Sequence, residues 1–551
     1  MKLTLKRFLC VFLFSALVMS SVQAEAKFNE VTRLAALAKV WGFLKYYHNK
    51  VAEGKINWDQ VLAECIPRVK QANDKDAFNH EILMMIRAAG SQEQIQSETI
   101  DNDEVDFSWM DDASLFYPLT SALLKYIREN HKPADNYYVQ KQSGAGNTVY
   151  TNEKHIVHYP SVEYRLLALF RYWNIIYYFF PYKDVMDQDW SQVLDEFIPK
   201  VMAPEGLSQD YHLAIREMTA RINDGHSFTY SNALSGFWGT NYPPFQARWI
   251  EEKTVVVKTY PVLLQGADLQ VGDIITHVNG QSVEVLRQER RKYVQASNES
   301  VLQYNLCSYL FRSNRTEIVL RLDRGSSQAE AKIPCYTWSV VNDEETRSLP
   351  NVSYSILPGN IGYVHMGLLQ YNDVANAMNL LQNTRAIVFD IRNYPNSTLY
   401  LLSEYLNPQP TDFYCAKKPD LSYPGRFYFT VGTKAGPSAD NPDYYKGRVV
   451  ILVNEMTISH AEFTTMALET APAATVIGSQ TAGADGNVSS VILPGNITTS
   501  FSGIGIFYPD RRPTQRIGIV PDIVVRPTVA GICAGRDEEL ERALEFIETG
   551  K

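Results

Sequence analysis

The feature that most restricts the fold of this chain is a regular alternation of short apolar strands and helices between residues 361 and 478. The predicted strands are Ile361 to Met366, Ala386 to Asp390, Val449 to Val453 and Thr475 to Gly478, and the predicted helices are Tyr371 to Leu381, Ser397 to Leu406 and Ser459 to Thr470. Such alternation is typical of βαβ units, in which helices cover a parallel sheet. It predicts a layered α/β core for residues 350–551 of a multidomain α/β protein.

The region before this core contains an internal duplication. The matching segments are Arg33 to Trp41 with Arg165 to Trp173, and Trp58 to Pro67 with Trp190 to Pro199. Both pairs have the same sequence offset, and apolar residues recur at helical spacing in each copy. We therefore predict two helical domains, residues 25–135 and residues 151–235.

The two copies differ at their ends. The second copy finishes with Asp224, Gly225 and His226, whereas the first runs through Gly90 with no histidine nearby. A residue that one copy carries and the other lacks favours a functional role for His226. A divergent turn, with a histidine that bonds the last carbonyls of a helix, explains the same difference structurally.

The first 24 residues have the pattern of an export signal. Basic residues at positions 2, 6 and 7 precede the apolar run Phe8 to Met19, and the small-residue site Val22 to Ala24 follows. We expect residues 1–24 to be removed and the protein to be periplasmic or extracellular. The apolar run is short for a membrane span, and no later segment resembles one.

Charge and cysteine usage exclude several function classes. The chain has 52 basic and 61 acidic residues, a net charge of −9, and no long basic run, which argues against nucleic acid or an anionic membrane as partner. The cysteines after the signal are Cys65, Cys307, Cys335, Cys415 and Cys533. Their odd number and scattered spacing indicate neither a zinc site nor a disulfide framework, although Cys307 and Cys335 remain a possible pair. With no phosphate loop or dinucleotide motif, we predict no cofactor and no metal.

Ser459 lies where the buried strand Val449 to Val453 gives way to a helix. A serine at such a turn presents its hydroxyl beside free backbone N–H groups, as a nucleophile that attacks a carbonyl requires. Glu462, three residues later, also completes the S/T-x-x-E capping box of ordinary helices. Taken alone, the segment fits a helix cap better than a catalytic serine.

Segments in a fixed order resemble the tail-specific, or C-terminal processing, serine proteases. These segments are Asp224 to His226, Gly266 to Gly280, Ile361 to Val364, Asp390 to Pro395, Ser459 to Glu462, Gly478 to Gly483 and Gly518 to Asp522. The resemblance spans about residues 150–545. It implies a crotonase-like, ClpP-like core, a PDZ-like domain inserted at residues 243–340, and a serine-type peptidase that acts on peptide or protein substrates.

The resemblance also assigns the catalytic residues. It implies that Ser459 is the nucleophile, but Ala484 occupies the place of the lysine base that many members use. The chain is closer to the tricorn-like branch, whose histidine base corresponds to His226. In that branch a glutamate orients the histidine, and Gln515 stands in its place; Asp224 and Asp485 are the alternative orienting acids.

Two binding elements follow from the same resemblance. The backbone N–H groups of His460 and Asn396 are the expected oxyanion donors, although Pro395, Asn396 and Ser397 replace the family's usual glycine pair. The PDZ-like loop containing Gly266, Leu269, Gly272 and Ile274 is expected to bind a peptide C-terminus or to act as a closed lid. The missing lysine, glycines and glutamate favour a silent peptide- or lipid-binding protein, whereas Ser459 and His226 favour an enzyme.

Overall fold

The computed structural model describes residues 28–95, 104–132, 135–153, 155–203 and 208–551. The predicted export signal lies outside these residues. Within them, every helix is too short or too polar to span a bilayer.

The predicted layered α/β core is confirmed, and a six-stranded sheet forms its centre. Its strands, in spatial order, are Tyr354–Leu357, Ile361–His365, Ala386–Asp390, Arg448–Val453, Ala474–Gly478 and Ile523–Val524. The first pairs antiparallel and the others pair parallel. Ile387 and Phe389 pack into one apolar cluster and Val388 into another, because successive side chains point to opposite faces of the sheet.

Helices cover both faces of this sheet. They are the 3₁₀ turn Tyr371–Asp373 and the α-helices Val374–Leu381, Leu399–Leu406, His460–Leu468, Val529–Cys533 and Glu538–Thr549. Two predicted helices begin later than expected, at Leu399 and His460. Ser459 has a positive φ and therefore precedes its helix rather than forming part of it.

Two small sheets flank the core and join it to the helical region. One contains Phe427–Val431, Cys415–Pro419 and Gly505–Phe507, and the other contains Val488–Leu493, Ile497–Ser502 and Thr229–Tyr230. The strand Thr229–Tyr230 follows His226 almost immediately and pairs with Ile497–Ser502. This pairing ties the end of the helical region to the core.

The helical region contains both copies of the duplicated sequence. The first has helices Glu30–Tyr47, Asn49–Ala52, Trp58–Gln71 and Lys75–Ala89, and the second has Val162–Phe179, the 3₁₀ turn Lys183–Val185, Gln192–Met202 and Ser208–Ala220. The 3₁₀ turn Ser108–Asp111, the helix Pro118–Glu129 and the hairpin strands Val139–Lys141 and Thr148–Tyr150 connect them. Trp41 and Trp58 donate to each other's carbonyls at 3.2 and 2.9 Å, as Trp173 and Trp190 do at 2.8 and 3.0 Å. The same pair of indole bonds thus fixes the first two long helices of each copy.

Residues 243–340 contain a second six-stranded sheet and its helices. The strands are Phe245–Ile250, Lys253–Thr259, Ile274–Val278, Gln281–Ser282, Glu317–Asp323 and Gln328–Pro334, with helices Pro261–Leu264, Val283–Arg291 and Glu299–Leu310. On either side lie helix Asn232–Trp238, the paired strands Asn241–Tyr242 and Tyr336–Thr337, and helix Trp338–Arg347. Cys307 and Cys335 are separate free thiols.

Candidate active site

Ser459 occupies a strained turn between strand Arg448–Val453 and helix His460–Leu468. Its backbone angles are φ 60° and ψ −124°, a combination that residues with a Cβ rarely adopt. Such strain costs on the order of 1–3 kcal/mol and persists only where the surroundings impose it. The serine N–H donates to the carbonyl of Ala484 at 2.9 Å, which holds the turn in place and leaves the side chain in a cavity.

Glu462 holds this turn through hydrogen bonds. Its buried carboxyl accepts N–H groups of Ser459, Gly483 and Ala484 at 3.3, 2.8 and 2.9 Å, and it also accepts the hydroxyl of Thr481. Burial raises the pKa of Glu462 to about 7, although these hydrogen bonds act in the opposite direction. The capping box predicted from sequence is present, and it holds the exposed turn rather than competing with it.

His226 reaches the same region from the helical side. Gly225 packs against Ala484, because a Cβ built at Gly225 would lie 3.0 Å from the Ala484 side chain. The histidine segment and the Ser459 turn therefore share Ala484 as a neighbour. Nε2 of His226 is buried and has no hydrogen-bond partner among the described residues, so it is not bonded to the Ser459 hydroxyl. Catalytic hydrogen bonds are often longer before substrate binds.

The hydrogen bonds around His226 define its tautomer. Nδ1 lies 2.9 Å from Oγ of Ser502, and that hydroxyl lies 3.0 Å from Oδ1 of Asp224. A carboxylate only accepts, so Ser502 donates to Asp224 and accepts from Nδ1–H of His226. The proton is thereby placed on Nδ1, and the Nε2 lone pair is left free. Burial lowers the pKa of His226, with the charge of Asp224 opposing it.

Asp224 is the acid that organises this cluster. It is fully buried and accepts the backbone N–H groups of His226 and Ser502 at 3.0 and 2.6 Å, besides the Ser502 hydroxyl. Gln515, predicted to orient His226 directly, instead donates its amide to Oδ1 of Asp224 at 3.2 Å. Gln515 therefore contacts the acid, and no hydrogen bond joins it to the imidazole among the described residues. Ser502 carried no motif in the sequence that would have revealed this role.

The ring of His460 lies near the backbone of Asn396, the other predicted oxyanion donor. The backbone of Asn396 raises the pKa of the His460 ring, while burial lowers it more strongly. Among the described residues, neither the N–H of His460 nor that of Asn396 has a hydrogen-bond acceptor. The Asn396 side chain donates to the carbonyls of Gly367 and Leu369 at 3.2 and 2.9 Å, which fixes this segment.

A cavity of about 590 Å³ opens beside Ser459 and His460. Tyr394, Tyr414 and Phe463 form aromatic walls, and the rings of Tyr414 and Phe463 meet edge to face at 4.7 Å. Asp485 lines the same space. The arrangement combines a strained serine, free N–H groups and a pocket of side-chain size, as acyl transfer requires.

Comparison with known proteins identifies the core. Residues 360–525 match the family described as peptidase family S41. These residues form an S41 peptidase domain, and the chain is a serine-type peptidase. The predicted membership of the tail-specific protease family is thereby confirmed. The match includes Ser459, Ser502 and Gln515. It begins at residue 360, well after His226, so the candidate base lies outside the matched S41 domain.

The solved structure of mature CPAF agrees with this assignment at the level of the fold. Mature CPAF complexed with lactacystin is 14% identical, with a TM-score of 0.56, over 71% of this chain and 99% of that one. The photosystem II D1 C-terminal processing protease is 18% identical (TM-score 0.39; 68% and 98% covered), and the tricorn protease is 14% identical (TM-score 0.35; 70% and 37% covered). No curated protein matches the chain.

The predicted peptide-binding loop belongs to the sheet and helices of residues 243–340. Leu269 is buried in the core of residues 243–340, and Ile274 begins a strand. Gly272 packs closely against Cys533 of the S41 peptidase's C-terminal segment, and space beside Gly266 is open. Arg248 forms a largely buried ion pair at 2.8 Å with Glu455, four residues before Ser459. Peptide binding by this loop stays a prediction.

Proposed function

We propose that this chain is an exported endopeptidase that hydrolyses peptide bonds in peptides or unfolded protein segments, with Ser459 as nucleophile and His226 as general base. The observation that carries the proposal is that a strained serine in a cavity wall and the segment of a buried histidine share Ala484 as a neighbour, and that the histidine has its Nδ1 proton engaged and its Nε2 free. A serine hydroxyl needs such a base to become nucleophilic.

The reaction follows from these positions. Oγ of Ser459 attacks the scissile carbonyl carbon, and its proton passes to Nε2 of His226. The N–H groups of His460 and Asn396 stabilise the negative oxygen of the tetrahedral intermediate. His226 then protonates the leaving amine, and in the second half it removes a proton from the water that attacks the acyl-enzyme. Ser502 and Asp224 hold the imidazole in the required tautomer throughout.

The experiment is labelling by an active-site-directed fluorophosphonate, combined with hydrolysis of denatured casein. We expect label and hydrolysis in the wild type and neither in Ser459→Ala. His226→Ala should lose nearly all of both. His277→Ala serves as a matched control, because His277 lies in the sheet of residues 243–340 and its ring lies 3.0 Å from the hydroxyl of its neighbour Thr276. Labelling that survives His226→Ala would contradict the assignment of the base.

The missing hydrogen bond between Ser459 and His226 favours a second candidate, a silent peptide- or lipid-binding protein on the same fold. A folded wild type that takes no label but binds peptide or lipid would support it. Export is tested separately. N-terminal sequencing of protein recovered outside the cytoplasm should begin at Glu25, and retention of residues 1–24 would contradict export with signal cleavage.

A further inference from the structure

Asp485 is a buried carboxyl group without a countercharge. It is 3% exposed; its Oδ1 accepts the N–H of Gly486 at 2.7 Å, and Oδ2 has no partner among the described residues. None of the ion pairs in the described ranges includes it. An unpaired buried carboxylate costs several kcal/mol, roughly, and proteins rarely retain one without a use.

The position of Asp485 connects it to substrate. It directly follows Ala484, the residue whose carbonyl holds the N–H of Ser459, and it lines the same cavity as Ser459. It does not orient His226, because Nδ1 of that ring is engaged by Ser502. Asp485 therefore contributes to the cavity wall and holds a buried oxygen, Oδ2, with no partner among the described residues; a ligand reaches this oxygen by displacing the atoms that cover it.

The rest of the cavity defines the kind of ligand. Tyr394, Tyr414 and Phe463 offer aromatic faces, and Ile504 and Ile506 add aliphatic surface. Lysine and arginine bury their aliphatic stems on apolar surface while their charged ends seek a carboxylate or an aromatic face. Burial and the nearby charge of Glu462 raise the pKa of Asp485 well above its usual range, so an empty site favours the neutral acid and an incoming cation favours the ionised one.

We propose that Asp485 is a specificity-determining residue that selects substrates with an arginine or lysine side chain beside the scissile bond. The inference rests on the proposed function, because it assumes that the bond is cut at Ser459. Lys418 lines the cavity from strand Cys415–Pro419 and forms no ion pair among the described residues. Its like charge opposes a basic side chain, so it is not the source of the preference.

The test compares two peptides that differ only by arginine or citrulline, which has the same shape without the charge. Cleavage sites mapped in denatured casein supply the parent sequence, and each flanking position is varied in turn. We expect the wild type to cut the arginine peptide about tenfold or more faster in kcat/KM at one of these positions. Asp485→Asn should reduce this ratio to about threefold or less, mainly by slowing the arginine peptide.

Controls separate the possible failures. Lys418→Met should preserve or increase the arginine preference, because it removes a like charge. Fluorophosphonate labelling of Asp485→Asn reports whether the catalytic turn is intact. Equal cleavage of both peptides by a labelled wild type would overturn this inference alone. If Asp485→Asn cleaves neither peptide, the residue acts in the chemistry, and its assignment to specificity is overturned. An unlabelled, inactive wild type would overturn the proposed function itself.

Discussion

Oγ of Ser502 lies 2.9 Å from Nδ1 of His226. Through this contact the S41 domain fixes a ring that belongs to the helical region. A hydroxyl stands between the imidazole and the nearest carboxylate, that of Asp224. The hydroxyl accepts the Nδ1 proton in place of a carboxylate, so the charge that stabilises an imidazolium is further away than in a direct contact.

Removing the hydroxyl should impair the base specifically. We expect Ser502→Ala to lower kcat by about ten- to a hundredfold with little change in KM, because the Nδ1 proton loses its acceptor. Ser502→Thr, which keeps the hydroxyl, should recover most of the rate. Ser490→Ala is the matched control, since Ser490 is exposed on the neighbouring strand. An equal loss of kcat in Ser490→Ala, or no loss in Ser502→Ala, would contradict the role of Ser502 in orienting His226.

Restoring the family's glutamate should not help this enzyme. The amide of Gln515 lies 3.2 Å from Oδ1 of Asp224, so Gln515→Glu would bring two buried carboxyl groups together. The pKa of the pair rises above that of the unfolded chain, and stability is lost as the pH rises through the acidic range toward neutrality. We expect a lower melting temperature at pH 7.5 than at pH 5 relative to the wild type, and no gain in kcat. Higher activity would indicate that the glutamate can reach His226 directly.

The pH profile should report the depressed pKa of His226. The base works when neutral, so kcat/KM rises as the pH passes the folded pKa, which lies below the ordinary value of 6.5. The same depression lowers the free energy of unfolding as the pH falls below 6.5, because the unfolded state binds the proton first. Initial rates between pH 4.5 and 8 test this. An acid limb centred above 6.5 would contradict it.

The strain at Ser459 predicts a difference between two inactive variants. Ser459→Ala keeps the Cβ and hence the strained backbone, whereas Ser459→Gly adopts a positive φ without that cost. We expect the glycine variant to exceed the alanine variant in free energy of unfolding by about 1 kcal/mol, after allowing for the extra entropy of unfolded glycine. Denaturant melts of both proteins measure it. Greater stability of Ser459→Ala would show that the turn is not strained.

Glu462 should prove essential for the shape of the turn. Gly483 donates to one carboxyl oxygen and Ala484 to the other, so a glutamine, which has one acceptor oxygen, places its N–H₂ group against one of these donors whichever way it turns. We expect Glu462→Gln to cost about 2–4 kcal/mol of stability and to reduce fluorophosphonate labelling of Ser459. Chemical denaturation and labelling rates are the measurements. A wild-type stability and a wild-type labelling rate would mean that the Glu462 carboxylate is not needed to hold the Ser459 turn.

Much of the core could be predicted from sequence, because its signals are local. The apolar run at Val449–Val453 and the residues around Ala386–Asp390 have the periodicity of buried parallel strands, and the structure places strands there. The turn at Ser459 also followed from local pattern, whereas its role as nucleophile came from the resemblance to the protease family. The elbow needs a strand, a tight turn and a capping glutamate, all within a short stretch of chain.

The surroundings of His226 were decided only by tertiary structure. Ser502, Gln515 and Asp485 are each more than 250 residues from His226, and no local pattern states which of them meets the ring. Pairing of strand Thr229–Tyr230 with Ile497–Ser502 brings the hydroxyl to Nδ1 and leaves the amide behind Asp224. The sequence by itself determined the strands, the helices and the nucleophile's turn, since these depend on neighbours along the chain. The orienting relay depends on contacts across the fold, where a shift of one residue in strand register exchanges the side chains that face the site.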